Sequence, residues 1–246
     1  MFANRNLTLL ALAGLLLAGA APGRFGIRLG LLLFAFVSMA AAASSAAAAT
    51  FIVTNAADVG PGSLRQAIID ANSNPDVDTI LFHPSVTGTI TLVNGQLAIT
   101  DAVTITGPGA QSLTISGNNS SRVFDIATTG AVSLSGLRIV NGFSGGQAGG
   151  GIRSTAPLTL TNCEISGCHN NNIGGGLRQL STNATINGCT FSGNSANIGG
   201  GVYLAGSAPL FMATITNCTF VNNTASTIGG AIRQFSTVPS TTQIIN

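Results

Sequence analysis

From Thr50 onward the apolar residues come in short alternating sets rather than long runs. In Thr214-Ile215-Thr216-Asn217-Cys218-Thr219-Phe220, the apolar Ile215, Cys218 and Phe220 are set off by polar neighbours. That is strand periodicity interrupted by a turn. The pattern recurs as SLSGLRIVNG from Ser133, TLTNCEISGC from Thr159, TINGCTFSGN from Thr185 and TITNCTFVNN from Thr214. The slot held by Leu137, Cys163, Cys189 and Cys218 returns at intervals of 26, 26 and 29 residues. A second block returns at 25, 25 and 30: GGGIRS from Gly149, GGGLRQ from Gly174, GGGVYL from Gly199 and GGAIRQ from Gly229. Two offset motifs sharing one variable period mark a repeat architecture.

Short strands joined by Gly/Asn corners exclude an α-solenoid. They fit a coil whose turns contribute parallel strands stacked about 4.8 Å apart. The predicted fold is all-β, a right-handed parallel β-helix with a short N-terminal capping helix, its hand set by the rule for parallel crossovers. Equivalent residues then stack in ladders, asparagines hydrogen-bond along the stack, and glycines supply positive φ at corners. In CTFSGNSANIGGG, Cys189 and Phe191 are predicted to point inward, Asn194 to make a corner and Gly199–Gly201 to begin the next strand.

The first turn of such a coil needs a cover, and residues 50–82 are predicted to supply it. A strand at Phe51–Thr54 leads to a capping box of Ser63 and Gln66. Leu64, Ala67, Ile68 and Ala71 then form one apolar helical face. Strands follow at Thr79–Phe82, Thr89–Val93, Val103–Thr106 and Leu113–Ser116, and residues 83–246 make the β-helix repeats.

Residues 1–49 have the layout of an export segment. Arg5 precedes the apolar run LTLLALAGLLLAGAAP; Arg24 and Arg28 precede a second, from Leu29 to about Met39, and Ala47-Ala48-Ala49 gives a small-x-small cleavage pattern before Thr50. The doubled run leaves three options: a true start downstream of Met1, an unusually long signal, or one run kept as an anchor. A retained span needs roughly 20 apolar residues, and Leu7–Pro22 is short for that. Cleavage near Ala49 is the expectation. At the other end, Asn246 falls where Asn217 sits before Cys218, one residue short of the next filled slot. That reads as a truncated gene product or fragment, whose anchor or catalytic region lay beyond Asn246.

Charge is sparse, at 7% of residues, and every basic side chain is Arg. From Thr50 on there are six arginines against six aspartates and Glu164, so the formal +2 of the whole chain belongs to its first 49 residues. No basic patch for nucleic acid remains. β-Helix enzymes acting on polysaccharides need paired carboxylates, or a carboxylate-bound cation with a strong base. From Ile126 to the end the chain has Glu164 as its single acid. No catalytic residue and no cofactor is assigned.

Setting RVFDI over GGGIR places Asp125 in one outward ladder with Arg153, Arg178, Tyr203 and Arg233. The slot after the Cys position runs Arg138, Glu164, Thr190, Thr219. Each acid thus lies one turn from an arginine, a structural use contributing about 0.2–1 kcal/mol per cross-strand pair. The plainer reading of Arg153, Arg178, Tyr203 and Arg233 is a solvated face, and it is preferred. The sharper one is a row that grips an acidic sugar or a protein carboxylate. Cys163, Cys189 and Cys218 share an inward slot where free Cys packs as a small hydrophobe; with Cys168 they leave a disulfide possible and not required. A zinc site from Cys163, Cys168, His169 and Cys189 matches no usual ligand spacing, so no metal is assigned. His83 reads as a loop residue, and Asp76-Val-Asp78 as turn chemistry with weak calcium potential.

The opening TFIVTNAADVGPGSLRQAIIDAN resembles the N-terminal module of bacterial surface proteins carrying a CSLREA-type motif, with Gly62 in place of Cys and Gln66 in place of Glu. IGGAI (Ile228–Ile232), FSGN (Phe191–Asn194) and FVNN (Phe220–Asn223) are similar to the GGA[ILV] and FxxN repeats of polymorphic outer membrane proteins. IVNG at Ile139 and ISGC at Ile165 depart from that pattern. The resemblance implies a secreted or surface-exposed β-helical passenger in the pectin-lyase-like fold group, often adhesive, with glycans or neighbouring cell-surface proteins as partners. Membrane contact would come only through export or a missing anchor. The alternative is a carbohydrate-active β-helix enzyme, lyase or hydrolase, whose catalytic turns are missing or unrecognised. A purely structural surface-layer role is third.

Overall fold

A computed structural model describes residues 47–180, 183–206 and 211–245. The two apolar runs of the expected export segment lie outside the described residues. Strand β1 (Thr50–Val53) and helix α1 (Leu64–Asn72) precede the coil. Its turns are built successively from β2 (Asp78–Phe82), β3 (Gly88–Thr91) and β4 (Leu97–Ile99); β5 (Val103–Thr106), β6 (Leu113–Ser116) and β7 (Phe124–Ile126); β8 (Val132–Ser135), β9 (Arg138–Val140) and β10 (Ile152–Ser154); and β11 (Leu158–Thr161), β12 (Glu164–Ser166) and β13 (Leu177–Leu180). Then come β14 (Asn183–Asn187), β15 (Thr190–Ser192), β16 (Ser195–Ile198) and β17 (Val202–Gly206), followed by β18 (Phe211–Thr216), β19 (Thr219–Val221), β20 (Thr224–Ile228), β21 (Ile232–Ser236) and β22 (Ser240–Ile245).

Equivalent strands of successive turns pair in parallel. They form one sheet of eight strands, β1-β2-β5-β8-β11-β14-β18-β22, two of six, β3-β6-β9-β12-β15-β19 and β4-β7-β10-β13-β17-β21, and a short β16-β20 pair. The core is the interior of this coil, where the one or two inward residues of each strand repeat from turn to turn. Ile115, Ile139, Ile165, Phe191 and Phe220 form such a column by register. The alternation of buried and outward residues that predicted strands is thus the alternation between core and surface.

From β8 onward three positions of each turn take the left-handed backbone, and all are filled by Gly or Asn; one of them is Gly149, Gly174, Gly199 and Gly229, with φ of 79°, 72°, 66° and 75°. Gly136, Asn162, Gly188 and Asn217 have φ of 61°, 52°, 62° and 52°; Asn141, Gly167, Gly193 and Asn222 have 52°, 60°, 62° and 54°. Asn tolerates this region better than other residues with a Cβ. The structure corrects two assignments here. Gly193, not Asn194, takes the corner, and Asn194 turns into the core, fully buried. Its Nδ2 donates to Ile165 O at 2.9 Å and to Asn223 Oδ1 at 2.9 Å, while its Oδ1 accepts from Cys168 N at 3.0 Å. Gly199–Gly201 also precede strand β17 rather than opening it, because the triplet makes the bend into that strand.

The N-terminal cap forms as the pattern predicts, with Leu64, Ala67, Ile68 and Ala71 buried. The capping box is only half made. Ser63 Oγ accepts from Gln66 N at 3.2 Å, but the Gln66 amide donates to Asp70 Oδ1 instead, and the Ser63 N–H goes to Gly60 O. A different link holds the cap down. Asp58 Oδ1 accepts from Arg65 Nη2 at 2.6 Å, and its Oδ2 accepts from Val93 N at 2.9 Å and Asn94 N at 2.8 Å. Burial alone would raise the Asp58 pKa, but Arg65, Asn94 and these backbone donors together hold it below the ordinary Asp value.

A depressed native pKa contributes stability that is present in full above the unfolded-state value and is lost as pH falls through the native one. The melting temperature of the protein is therefore expected to drop in acid below about pH 4. Asp58→Asn should start lower at neutral pH and lose less across that window. Thermal melts over the acid range test this, and parallel curves for the two proteins would refute the assignment.

Candidate functional site

The six-stranded sheet β4-β7-β10-β13-β17-β21 carries the outward ladder. Its registers set Asp125 against Arg153, Arg153 against Arg178, Arg178 against Tyr203 and Tyr203 against Arg233, as the repeat alignment predicts. The other predicted row is also in register, Arg138 beside Glu164, then Thr190 and Thr219. Arg138 Nε bonds Glu164 Oε1 at 3.0 Å on a partly exposed face, so this pair contributes little more than orientation.

Asp125 is held more tightly than the ladder alone suggests. Arg153 Nη1 donates to its Oδ1 at 2.8 Å, Arg122 Nη1 lies 3.2 Å from the same oxygen, and Gln96 Nε2 donates to Oδ2 at 3.0 Å. Arg122 itself is 4% exposed, with its remaining donors bonded to Gly149 O, Ala148 O and Gln96 Oε1. Burial pushes the Arg122 guanidinium pKa down, Asp125 pushes it back up, and the Arg153 and Arg178 charges add to the lowering. The alternation of strand residues gave no sign of Arg122, which precedes β7 and lies on neither of its faces. The available signal was the opposite charge three residues on. A groove of about 540 Å³ opens at this cluster, with Gln96, Arg122, Asp125, Phe143, Ser144 and Gln147 in its wall.

Beyond Arg153 the ladder carries no acid. Among the described residues, Arg178 and Arg233 take part in no ion pair. Burial and the neighbouring Arg153 charge lower the Arg178 pKa, with Tyr203 opposing them. Tyr203 departs from the expected solvated face, being 8% exposed. It sits in register between two long arginines, and the Gly199 bend lies so close that a Cβ added there would fall 2.9 Å from Tyr203 Cβ. The ladder therefore offers two guanidinium groups separated by a packed ring.

The four cysteines are free thiols. Cys163, Cys189 and Cys218 share one column, Cys163 N donating to Cys189 Sγ and Cys189 N to Cys218 Sγ, each at 3.4 Å. Cys168 occupies a different column, the slot of Asn194, and burial pushes its thiol pKa up to about 12. His169 stacks on Phe143 with ring centroids 4.5 Å apart. The imagined zinc set is thus divided between separate columns and a stacked ring. His83 bonds Ser85 Oγ at 2.7 Å in its loop. Asp76 is exposed while Asp78 is buried at the start of β2, so the two do not converge. Among the described residues no group of three or more His, Cys, Asp or Glu is placed to hold a metal ion.

A comparison with curated proteins finds no match to this chain. The family model described as the right-handed β-helix region matches residues 68–241, a span that contains α1 from Ile68, every ladder residue and the groove. The chain therefore belongs to the right-handed β-helix family.

Proposed function

We propose that this protein is exported and works as a surface or extracellular interaction scaffold, with the Arg178–Tyr203–Arg233 rungs as its contact for an acidic ligand. The observation that carries this reading is the asymmetry of the ladder. At one end Asp125 is occupied by Arg122, Arg153 and Gln96; farther along, two cations share one outward row with no acid between them. Guanidinium groups recognise carboxylates through paired N–H donors. A uronic or sialic acid residue of a glycan, or a carboxylate of a neighbouring cell-surface protein, fits that chemistry. The likeness of the GGA[ILV] and FxxN repeats to polymorphic outer membrane proteins, and of the cap to the CSLREA-type module, supports a secreted or cell-surface location.

An array of acidic and neutral glycans tests the contact. The protein is expected to retain acidic glycans selectively, and Arg178→Ala to weaken that binding by about tenfold or more, as loss of a charged hydrogen bond would. Arg178→Lys should recover part of it, with the melting temperature unchanged in both. Absence of acidic-glycan and cell-surface binding, or equal binding by Arg178→Ala, would sink the proposal. The groove beside Asp125 is the observation on the side of the carbohydrate-active alternative. If the protein depolymerises an acidic polysaccharide and Asp125→Asn abolishes that activity, the enzyme reading replaces the scaffold.

A further inference from the structure

Among the described residues, Ala49 is the first tied into the sheet ladder. Its N–H donates to Asp78 Oδ1 at 2.7 Å and its carbonyl accepts from Thr79 N at 2.9 Å. Ala47 and Ala48 are exposed and outside regular structure, and Asn74 Nδ2 donates to Ala47 O at 3.1 Å. The partner of Ala49 is an unusual acid. Asp78 is 0% exposed; Asn74 Nδ2 also donates to its Oδ1, at 2.6 Å, but its Oδ2 is buried with no hydrogen-bond partner among the described residues. Among those residues no arginine pairs with it either. Burying a carboxylate without a counter-charge is strongly unfavourable, and among the described residues the site has two donors on one oxygen, none on the other, and no cation.

Hydrolysis of the Ala48–Ala49 peptide bond would supply further donors and a cation. Water adds across the amide: the hydroxyl goes to the Ala48 carbonyl carbon, which leaves as a carboxylate on the released segment, and the Ala49 nitrogen becomes an α-amine. That amine takes up a proton at neutral pH. One donor becomes three, and a positive charge appears on an atom already 2.7 Å from the carboxylate. We propose that the chain is processed between Ala48 and Ala49, and that the resulting Ala49 α-ammonium is the buried counter-ion of Asp78. The peptidase is of the class that selects small side chains one and three positions before the bond; positions 48 and 46 are both alanine. The pattern ending at Ala49 would serve that enzyme equally, but cutting there removes the Asp78 donor and the Thr79 acceptor together. This inference rests on the export reading for the presence of the peptidase.

Two measurements test it separately. The full chain is expressed in a bacterial host, and the N-terminus of the exported product is read by mass spectrometry. Ala49 as first residue is the expected result. Thr50 or any other start overturns the inference while leaving export standing; an intact, retained chain overturns both. In the second, residues 43–48 of the full chain are replaced by a site-specific protease sequence, and the folded protein is cut to expose Ala49. The melting temperature is expected to rise by about 5 °C on cutting, and not to rise in Asp78→Asn. No rise, or the same rise in Asp78→Asn, overturns the ion pair whatever the outcome of export.

Discussion

Phe191→Ala is expected to lower the stability of the β-helix by about 3–5 kcal/mol, as truncation of a fully buried aromatic does. Phe191 is 0% exposed and stacks on Phe220 of the next turn with centroids 5.1 Å apart and planes 4° from parallel. The rung before it is Ile165. An alanine would leave a gap bounded on one side by a flat ring and on the other by a branched aliphatic chain, neither of which can slide along the axis without breaking its own strand pairing. Collapse around the gap is therefore limited, and the cost stays near the upper end. Outward Thr190, next to it on the same strand, provides the control: Thr190→Ala should change stability by less than about 0.5 kcal/mol. Denaturant unfolding of the three proteins decides the matter. In a coil whose turns contact only their neighbours, the loss is expected to show first as an early transition of the turns around β15. A Phe191→Ala loss under about 1 kcal/mol would mean that the column is not tightly packed.

Gly175→Ala is the second large effect, at about 3 kcal/mol. A Cβ at Gly175 would lie 2.4 Å from Gly200 O and 2.5 Å from Ser195 O. Both are backbone atoms held in ladders, so relief requires moving a turn rather than a rotamer. Gly150 and Gly200 meet the same obstruction, with a carbonyl at 2.4 Å and 2.1 Å respectively. The middle glycine of each triplet is thus fixed by the distance between turns. Gly193 makes the informative comparison, because it has a φ of +62° but open space where a Cβ would go. There the cost is backbone strain alone, about 1–2 kcal/mol. Thermal melts should rank Gly175→Ala as the worse of the two, and the reverse order would show that the turns separate more readily than their hydrogen bonds indicate.

The ladders were legible in the sequence because a repeat with one variable period converts spacing directly into neighbourhood. Arg153 against Arg178, or Glu164 against Arg138, needed no knowledge of side-chain packing. Relations that cross between the sheets and their loops had no such key. Nothing in the spacing joins Asp58 to Arg65 and to the backbone of Val93 and Asn94, since the loop supplying it belongs to no repeat. Arg122 was missed because it precedes β7 and falls outside the alternation of that strand, and Tyr203 was placed outward correctly while its burial was not foreseen. Cys168 was left open in a different way: a disulfide was possible and not required and no metal was assigned, and it fills an asparagine slot, where the need is for an acceptor of about that size. Type alone does not separate these roles; the column does.

That column has a direction. Gly142 N donates to Cys168 Sγ, Cys168 N to Asn194 Oδ1, and Asn194 N to Asn223 Oδ1, each turn reaching forward to a side chain of the one after it. A segment added in a loop away from the column leaves these partners in place, as the interval of 29 residues from Asn194 to Asn223 against 26 from Cys168 to Asn194 shows, but one added within the corner does not. Reach along the axis therefore changes in whole turns. Tandem duplication or loss of one period, such as the 26 residues from Cys163 to Gly188, is a step that can leave fold and surface intact, whereas a shorter change in a corner breaks the chain of donors at once. Reach along the axis can be altered by copying, while the row of arginines that faces outward is lengthened by the same act.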